Sequence, residues 1–168
     1  MSYYKLENAL LTYDISSEIL KNFGTEPPVV VCLGSDRVLS DMVGVLVADL
    51  LKQRNVNIFV FGGSNRCFNK QNAKYIAKRI DPSRLLFVDS GLLQQKNSIA
   101  VMPYLILNDG TKINSTSIIA GTIQKENGRV CLAKLAYADL KKYAIAIADS
   151  ICEYLAYVEI LKNKKFCM

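Results

Sequence analysis

Val29-Val-Val-Cys-Leu-Gly-Ser-Asp-Arg-Val-Leu-Ser-Asp-Met-Val-Gly44 decides the fold. An apolar run that stops at Gly34, a short polar loop and then apolar residues at helical spacing form the strand-loop-helix entry of an α/β sheet. In such sheets ligands sit beyond the carboxyl ends of the strands. Asp36 and Asp41 both fall on that rim.

Upstream, Tyr4, Leu6, Leu10, Leu11, Ile15, Ile19 and Leu20 have a loosely helical spacing, which predicts one covering helix or two short ones over residues 1–25. Thr25-Glu-Pro-Pro28 breaks it, because a residue preceding proline avoids helical geometry. Downstream, Ser40 is the expected N-cap of a helix whose stripe is Met42, Val43, Leu46, Val47, Leu50 and Leu51. Gly44 would let that helix approach the strands closely. Asn57–Gly62 reads as a second strand, 69–80 as a second helix stopped by Asp81-Pro82, and Leu85–Gly91 as a strand that again ends in a carboxylate and a glycine. Ile99–Met102, Tyr104–Leu107 and Ser117–Ile123 follow as strands, with Asn108-Asp-Gly110 as a turn. Helical spacing from Val130 to Leu161 predicts a long closing helix. The whole reads as one α/β domain, 1–168, with its core at 29–161 and a mainly parallel central sheet.

With 168 residues, 51% of them hydrophobic, the chain has enough material for one well-cored domain. No apolar run approaches the roughly 20 residues of a membrane span, and the first residues lack a signal-peptide core. A soluble, cytoplasmic protein is expected, with no membrane partner. The cysteines, Cys32, Cys67, Cys131, Cys152 and Cys167, form no CxxC pair, which suits packed, reduced thiols. The net charge of +6 is spread along the chain, with only Lys162, Lys164 and Lys165 clustered. No stacking aromatics interleave the charges, so nucleic acid is not an expected partner. With no histidine in the chain, catalysis would fall to carboxylates, thiols, lysines or hydroxyls. The G-x-G-x-x-G and P-loop patterns are absent. Cys32, between Val31 and Leu33 on a strand, reads as a packed thiol.

Asp41 sits at or next to a predicted helix N-terminus, which favours its ionised form, and Asp89 ends a neighbouring strand. Two carboxylates on one rim can share a proton and activate water, or hold a hard cation through oxygen. A helix-capping carboxylate beside an ordinary strand-end residue suits the same pattern.

Val31-Cys-Leu-Gly-Ser-Asp-Arg37, then Ser40-Asp-Met-Val-Gly44 and Leu50, resembles the signature of the YyaC-type sporulation protein family, approximately C-I-G-T-D-R-x-x-G-D-x-x-G-P-x-x-x-x-x-L. Weaker similarity runs from about Val29 to Tyr154, with Phe61-Gly62, Val88-Asp89 and Ile119-Ala-Gly121 at the family's Y-G-T, I-D-A and I-x-G positions. The resemblance implies a phosphorylase/hydrolase-like three-layer α/β sandwich, shared with the spore germination protease and with hydrogenase maturation endopeptidases. It also implies that Asp41 and Asp89 act catalytically, with Ser35, Asp36 and Arg37 as the substrate-binding loop. Ser40 replaces the family's Gly, Val45 its Pro, and a His would fall near Asn69. Without that His, nickel-dependent maturation is disfavoured, since imidazole suits nickel whereas carboxylates suit magnesium, calcium or manganese.

The expected function is thus a carboxylate-dependent, aspartic-type peptidase without metal or cofactor. Asp41 would be its base and Asp89 its acid, and its substrates would be proteins or peptides, small acid-soluble spore proteins in particular, in the cytoplasm or forespore. Two alternatives stay open. One is a sporulation binding or assembly protein that kept the fold and lost the chemistry, and the other is a carboxylate-metal hydrolase.

Overall fold

The computed structural model describes residues 1–95, 97–126, 129–132 and 135–165, with the side chains of 124–126, 129–132 and 165 excepted. The expectations for the thiols of Cys131 and Cys167 and for the Lys165 side chain lie outside the described residues.

The elements in order are β1 (Ser2–Lys5), α1 (Leu11–Phe23), β2 (Val29–Cys32), α2 (Val43–Gln53), β3 (Val60–Phe61), α3 (Lys70–Ala77), β4 (Leu85–Leu92), β5 (Ser98–Met102), β6 (Leu105–Ile106), β7 (Lys112–Ile113), β8 (Thr116–Glu126), β9 (Arg129–Leu132) and α4 (Tyr137–Lys165). Seven strands form one sheet in the order β1-β5-β8-β4-β2-β3, with β9 paired to β8, while β6 and β7 form a separate two-stranded ribbon. The pairs β3-β2, β2-β4 and β4-β8 are parallel, and β8-β5, β5-β1 and β8-β9 are antiparallel. The sheet is therefore mixed rather than mainly parallel. Its parallel half carries the crossovers through α2 and α3.

The strands of the parallel half bury both faces, which is why they read as continuous apolar runs. Val30, Cys32, Leu86 and Val88 point to a core shared with α1, α2 and α4, while Val31, Leu33, Leu85 and Phe87 point to a second core with α3 and the β6-β7 ribbon. On that second face the antiparallel half carries only a small cluster, Leu93, Ala100 and Ile119, with Tyr3 and Met102 against it. Among the described residues no helix joins that cluster.

Four expectations change. Residues 2–5 form an edge strand, Tyr3 opposite Ala100 and Tyr4 opposite Ile99, because paired tyrosines suit a pleated edge. The covering helix starts only at Leu11, after a turn in which the Asn8 side chain accepts the Leu10 N–H at 3.0 Å. Residues 129–132 extend the sheet instead of opening the last helix, which begins at Tyr137 where the Asp139 carboxylate accepts the Ala136 N–H at 3.1 Å. Of the proposed second strand, only Val60–Phe61 pairs. Asn69 caps α3 with a reciprocal capping box through Asn72, and Asn108–Gly110 makes the turn between β6 and β7, with Gly110 at φ 79°.

Candidate active site

The chain leaves β2 towards β3 through α2 and returns from β3 to β4 through α3, and β4 lies on the other side of β2. The carboxyl ends of β2 and β4 thus diverge at a topological switch point, where open α/β sheets leave a crevice. Asp41 follows β2 and Asp89 lies near the end of β4.

Close backbone packing builds the Asp41 turn. Gly34 (φ 149°) lies against the Asp41 carbonyl, and Gly44 lies against the Leu33 carbonyl so tightly that a Cβ would collide with it. Leu39–Asp41 is a short 3-10 turn. The Ser35 N–H donates to the Asp41 carbonyl at 3.0 Å, and the Thr122 hydroxyl donates to the Ser40 carbonyl at 2.6 Å. Ser40 is accordingly not the N-cap of α2. It is buried, its side chain caps nothing, and Met42 holds the cap position. Asp41 immediately precedes that cap, next to the helix N-terminus as expected.

Asp89 is only 4% exposed. One of its oxygens accepts the Ser90 N–H at 2.9 Å, and the other lies 3.4 Å from the Lys70 ammonium. Lys70 is the first residue of α3, delivered by the Asn69 cap. Burial raises the Asp89 carboxyl above the usual range, opposed by Lys70 and by the Ser90 N–H. The Asp41 carboxyl is pushed up to about 6, first by burial and then by the charge of Asp89, with Lys70 opposing. Desolvation and the like charge of Asp89 thus oppose the expected stabilisation of an ionised Asp41 by the helix terminus. Asp89 has a cation and an N–H donor on its oxygens, which oppose the effect of its burial.

A cavity of about 470 Å³ opens beside this group, walled by Lys70, Asp89 and Ser90 together with apolar side chains that include Leu92, Met102, Leu105, Ile106 and Ile119. It occupies the face of the antiparallel half that, among the described residues, no helix covers. Asp41 is not part of its wall and approaches from the turn after β2. Ser90 buries a hydroxyl oxygen that has no hydrogen-bond partner among the described residues.

Of the expected substrate loop, Ser35 is partly buried and its hydroxyl accepts the Arg37 N–H at 3.2 Å. Asp36 and Arg37 are exposed and do not line the cavity. Among the described residues no ion pair joins Asp36 to Arg37 or draws either to Asp89. Burial pushes the Cys32 thiol well above its usual range, as expected for a packed residue. Among the described residues, no three His, Cys, Asp or Glu side chains are grouped to hold a metal ion.

Lys70 is the site residue that sequence reading missed. A lysine in the first turn of an exposed helix carries no mark of function. The one available signal was the family pattern that places an ionisable residue near Asn69.

No curated protein matches the chain. A family model described as a protein of unknown function, DUF1256, matches residues 1–117, a stretch that contains Asp41, Lys70 and Asp89. On that match, over more than half its length, the chain belongs to the DUF1256 family.

Proposed function

We propose that the protein is an aspartic-type peptidase built on a three-layer, phosphorylase/hydrolase-like sandwich of the YyaC kind. Its substrates are proposed to be small spore proteins, met in the cytoplasm or forespore. One observation carries this reading: a buried, lysine-paired carboxylate, Asp89, stands on the wall of an open cavity, and its charge together with burial pushes the Asp41 carboxyl up to about 6. Two carboxyl groups whose environments separate their protonation supply a base and an acid at one pH.

The roles are the reverse of those expected from sequence. Asp89, ionised against Lys70, takes a proton from water as the water oxygen bonds to the peptide carbonyl carbon. Asp41 gives its proton to the leaving nitrogen as the C–N bond breaks. The site then holds its proton on Asp89, and transfer back to Asp41 through solvent resets it. Activity requires a protonated Asp41, so it falls as pH rises above about 6.

Purified protein and its Asp41→Asn and Asp89→Asn variants, incubated with small acid-soluble spore proteins between pH 5 and 8, test this by fragment mass. Cleavage by the parent alone, declining above pH 6, is expected. Full activity in both variants removes the proposal. The Lys70–Asp89 pair also favours a second reading, a binding or assembly protein in which the pair is only a buried ion pair. Absence of cleavage by any of the three proteins, at every pH, turns the balance to it.

A further inference from the structure

We infer that the cavity beside Asp89 is a binding subsite for a peptide segment carrying a large aliphatic or aromatic side chain, held by its backbone carbonyl at the Lys70 ammonium. This rests on the peptidase reading for its role, but the binding it describes stands without cleavage.

Three observations carry it. The first is position, since the cavity lies between the small Leu93, Ala100 and Ile119 cluster, which no helix among the described residues joins, and the β6-β7 ribbon. The second is size, because about 470 Å³ lies within the range of roughly 300–1,000 Å³ that holds small organic ligands, which is room for a bulky side chain and the amides flanking it. The third is the arrangement of polarity. Met102, Leu105, Ile106 and Ile119 offer apolar surface, and the polar groups gather where Lys70, Asp89 and Ser90 meet. An ammonium has three donors, and among the described residues that of Lys70 meets only Asp89. A neutral acceptor such as an amide oxygen completes it, whereas a second anion would enter the field of Asp89. A ligand with an apolar side chain next to an amide matches both ends of the cavity. A simple alkyl chain matches only one.

The probes are N-acetyl-L-leucinamide, N-acetylglycinamide and decanoate, titrated into protein labelled at its Met, Leu and Ile methyl groups and followed by NMR. The leucine amide is expected to give saturable shifts confined to Met102, Leu105, Ile106 and Ile119, and the glycine amide is not. Met102→Trp, which fills the cavity from a partly exposed position, is expected to weaken binding about tenfold while methyl groups of the α1, α2 and α4 core keep their shifts. Ile106→Trp, at an exposed ribbon position, repeats the test if Met102→Trp does not fold. Equal shifts from the glycine amide, binding undiminished in the filled variant, or decanoate binding without leucine amide binding would each overturn the inference. Localised binding in a protein that cleaves nothing upholds the subsite and removes only the peptidase. Cleavage without localised binding does the opposite.

Discussion

Replacing Asp41 by Asn should make the protein more stable near neutral pH. The Asp41 carboxyl ionises at about 6 in the folded chain, against an ordinary 3.8. The folded state thus holds the proton more tightly than the unfolded state, and stability is given up as pH rises from about 4 to about 6. Each pH unit of such a difference corresponds to about 1.4 kcal/mol, so full burial would make the loss about 3 kcal/mol. The carboxylate is only partly buried, and screening by water leaves about 1 kcal/mol. Asn has nearly the same shape and no charge to desolvate. The Asp41 carbonyl, which accepts the Ser35 N–H, belongs to the backbone and survives the substitution. At pH 7.5 the variant should therefore melt about 2–4 °C above the parent, as expected for about 1 kcal/mol in a domain of this size. The gain should vanish below pH 4, where both states of the parent are protonated. Thermal and urea unfolding of the two proteins across pH 3.5–8 measures the difference directly. A variant less stable than the parent at pH 7.5, or a difference independent of pH, would refute the reasoning.

Lys70→Gln leaves Asp89 buried without its cation and should cost about 1–3 kcal/mol at pH 7.5. It pushes the Asp89 carboxyl further up, so the loss shrinks towards pH 4 as Asp89 takes a proton. Lys70→Arg should recover most of it, and an equal loss at both pH values in urea titrations would mean that Lys70 acts only through the packing of its stem. Gly44→Ala places a Cβ against the Leu33 carbonyl, so α2 must shift. A loss of about 1–3 kcal/mol is expected in thermal unfolding, and a variant as stable as the parent would show that the helix is not held at that crossing.

What was legible in the sequence follows from how much each segment answers to local rules. Val29–Cys32 and Leu85–Val88 read correctly as strands because both their faces are almost wholly buried, leaving runs of apolar residues with no period to mistake. Asn108–Gly110 read correctly because a turn is dictated by its own residues. Tyr3 and Tyr4, in contrast, are strand residues only because β5 offers them an edge. Ser40 has the composition of a helix cap, yet the hydroxyl of Thr122, 82 positions away, determines its role. The two carboxylates were visible from their strand-loop contexts. Their charge states were not, since these depend first on burial and then on Lys70, which only the crossover through α3 brings to Asp89.

The three charges of the site differ in what the fold gives each of them. A buried carboxylate at Asp89 is accounted for structurally by Lys70 and the Ser90 N–H, which satisfy its oxygens. Asp41 has no such account. Among the described residues no hydrogen bond or ion pair reaches its side chain, and its contribution to the turn is made by its backbone. Its carboxylate lowers stability at neutral pH by standing partly buried in the field of Asp89. A fold that needed only the ion pair would be better served by Asn at position 41. Groups that cost stability and support nothing are characteristic of sites whose strained charge is used in function. On the proposed peptidase reading, an Asp41→Asn variant that is stabilised and cleaves nothing that the parent cleaves would display that exchange in a single substitution.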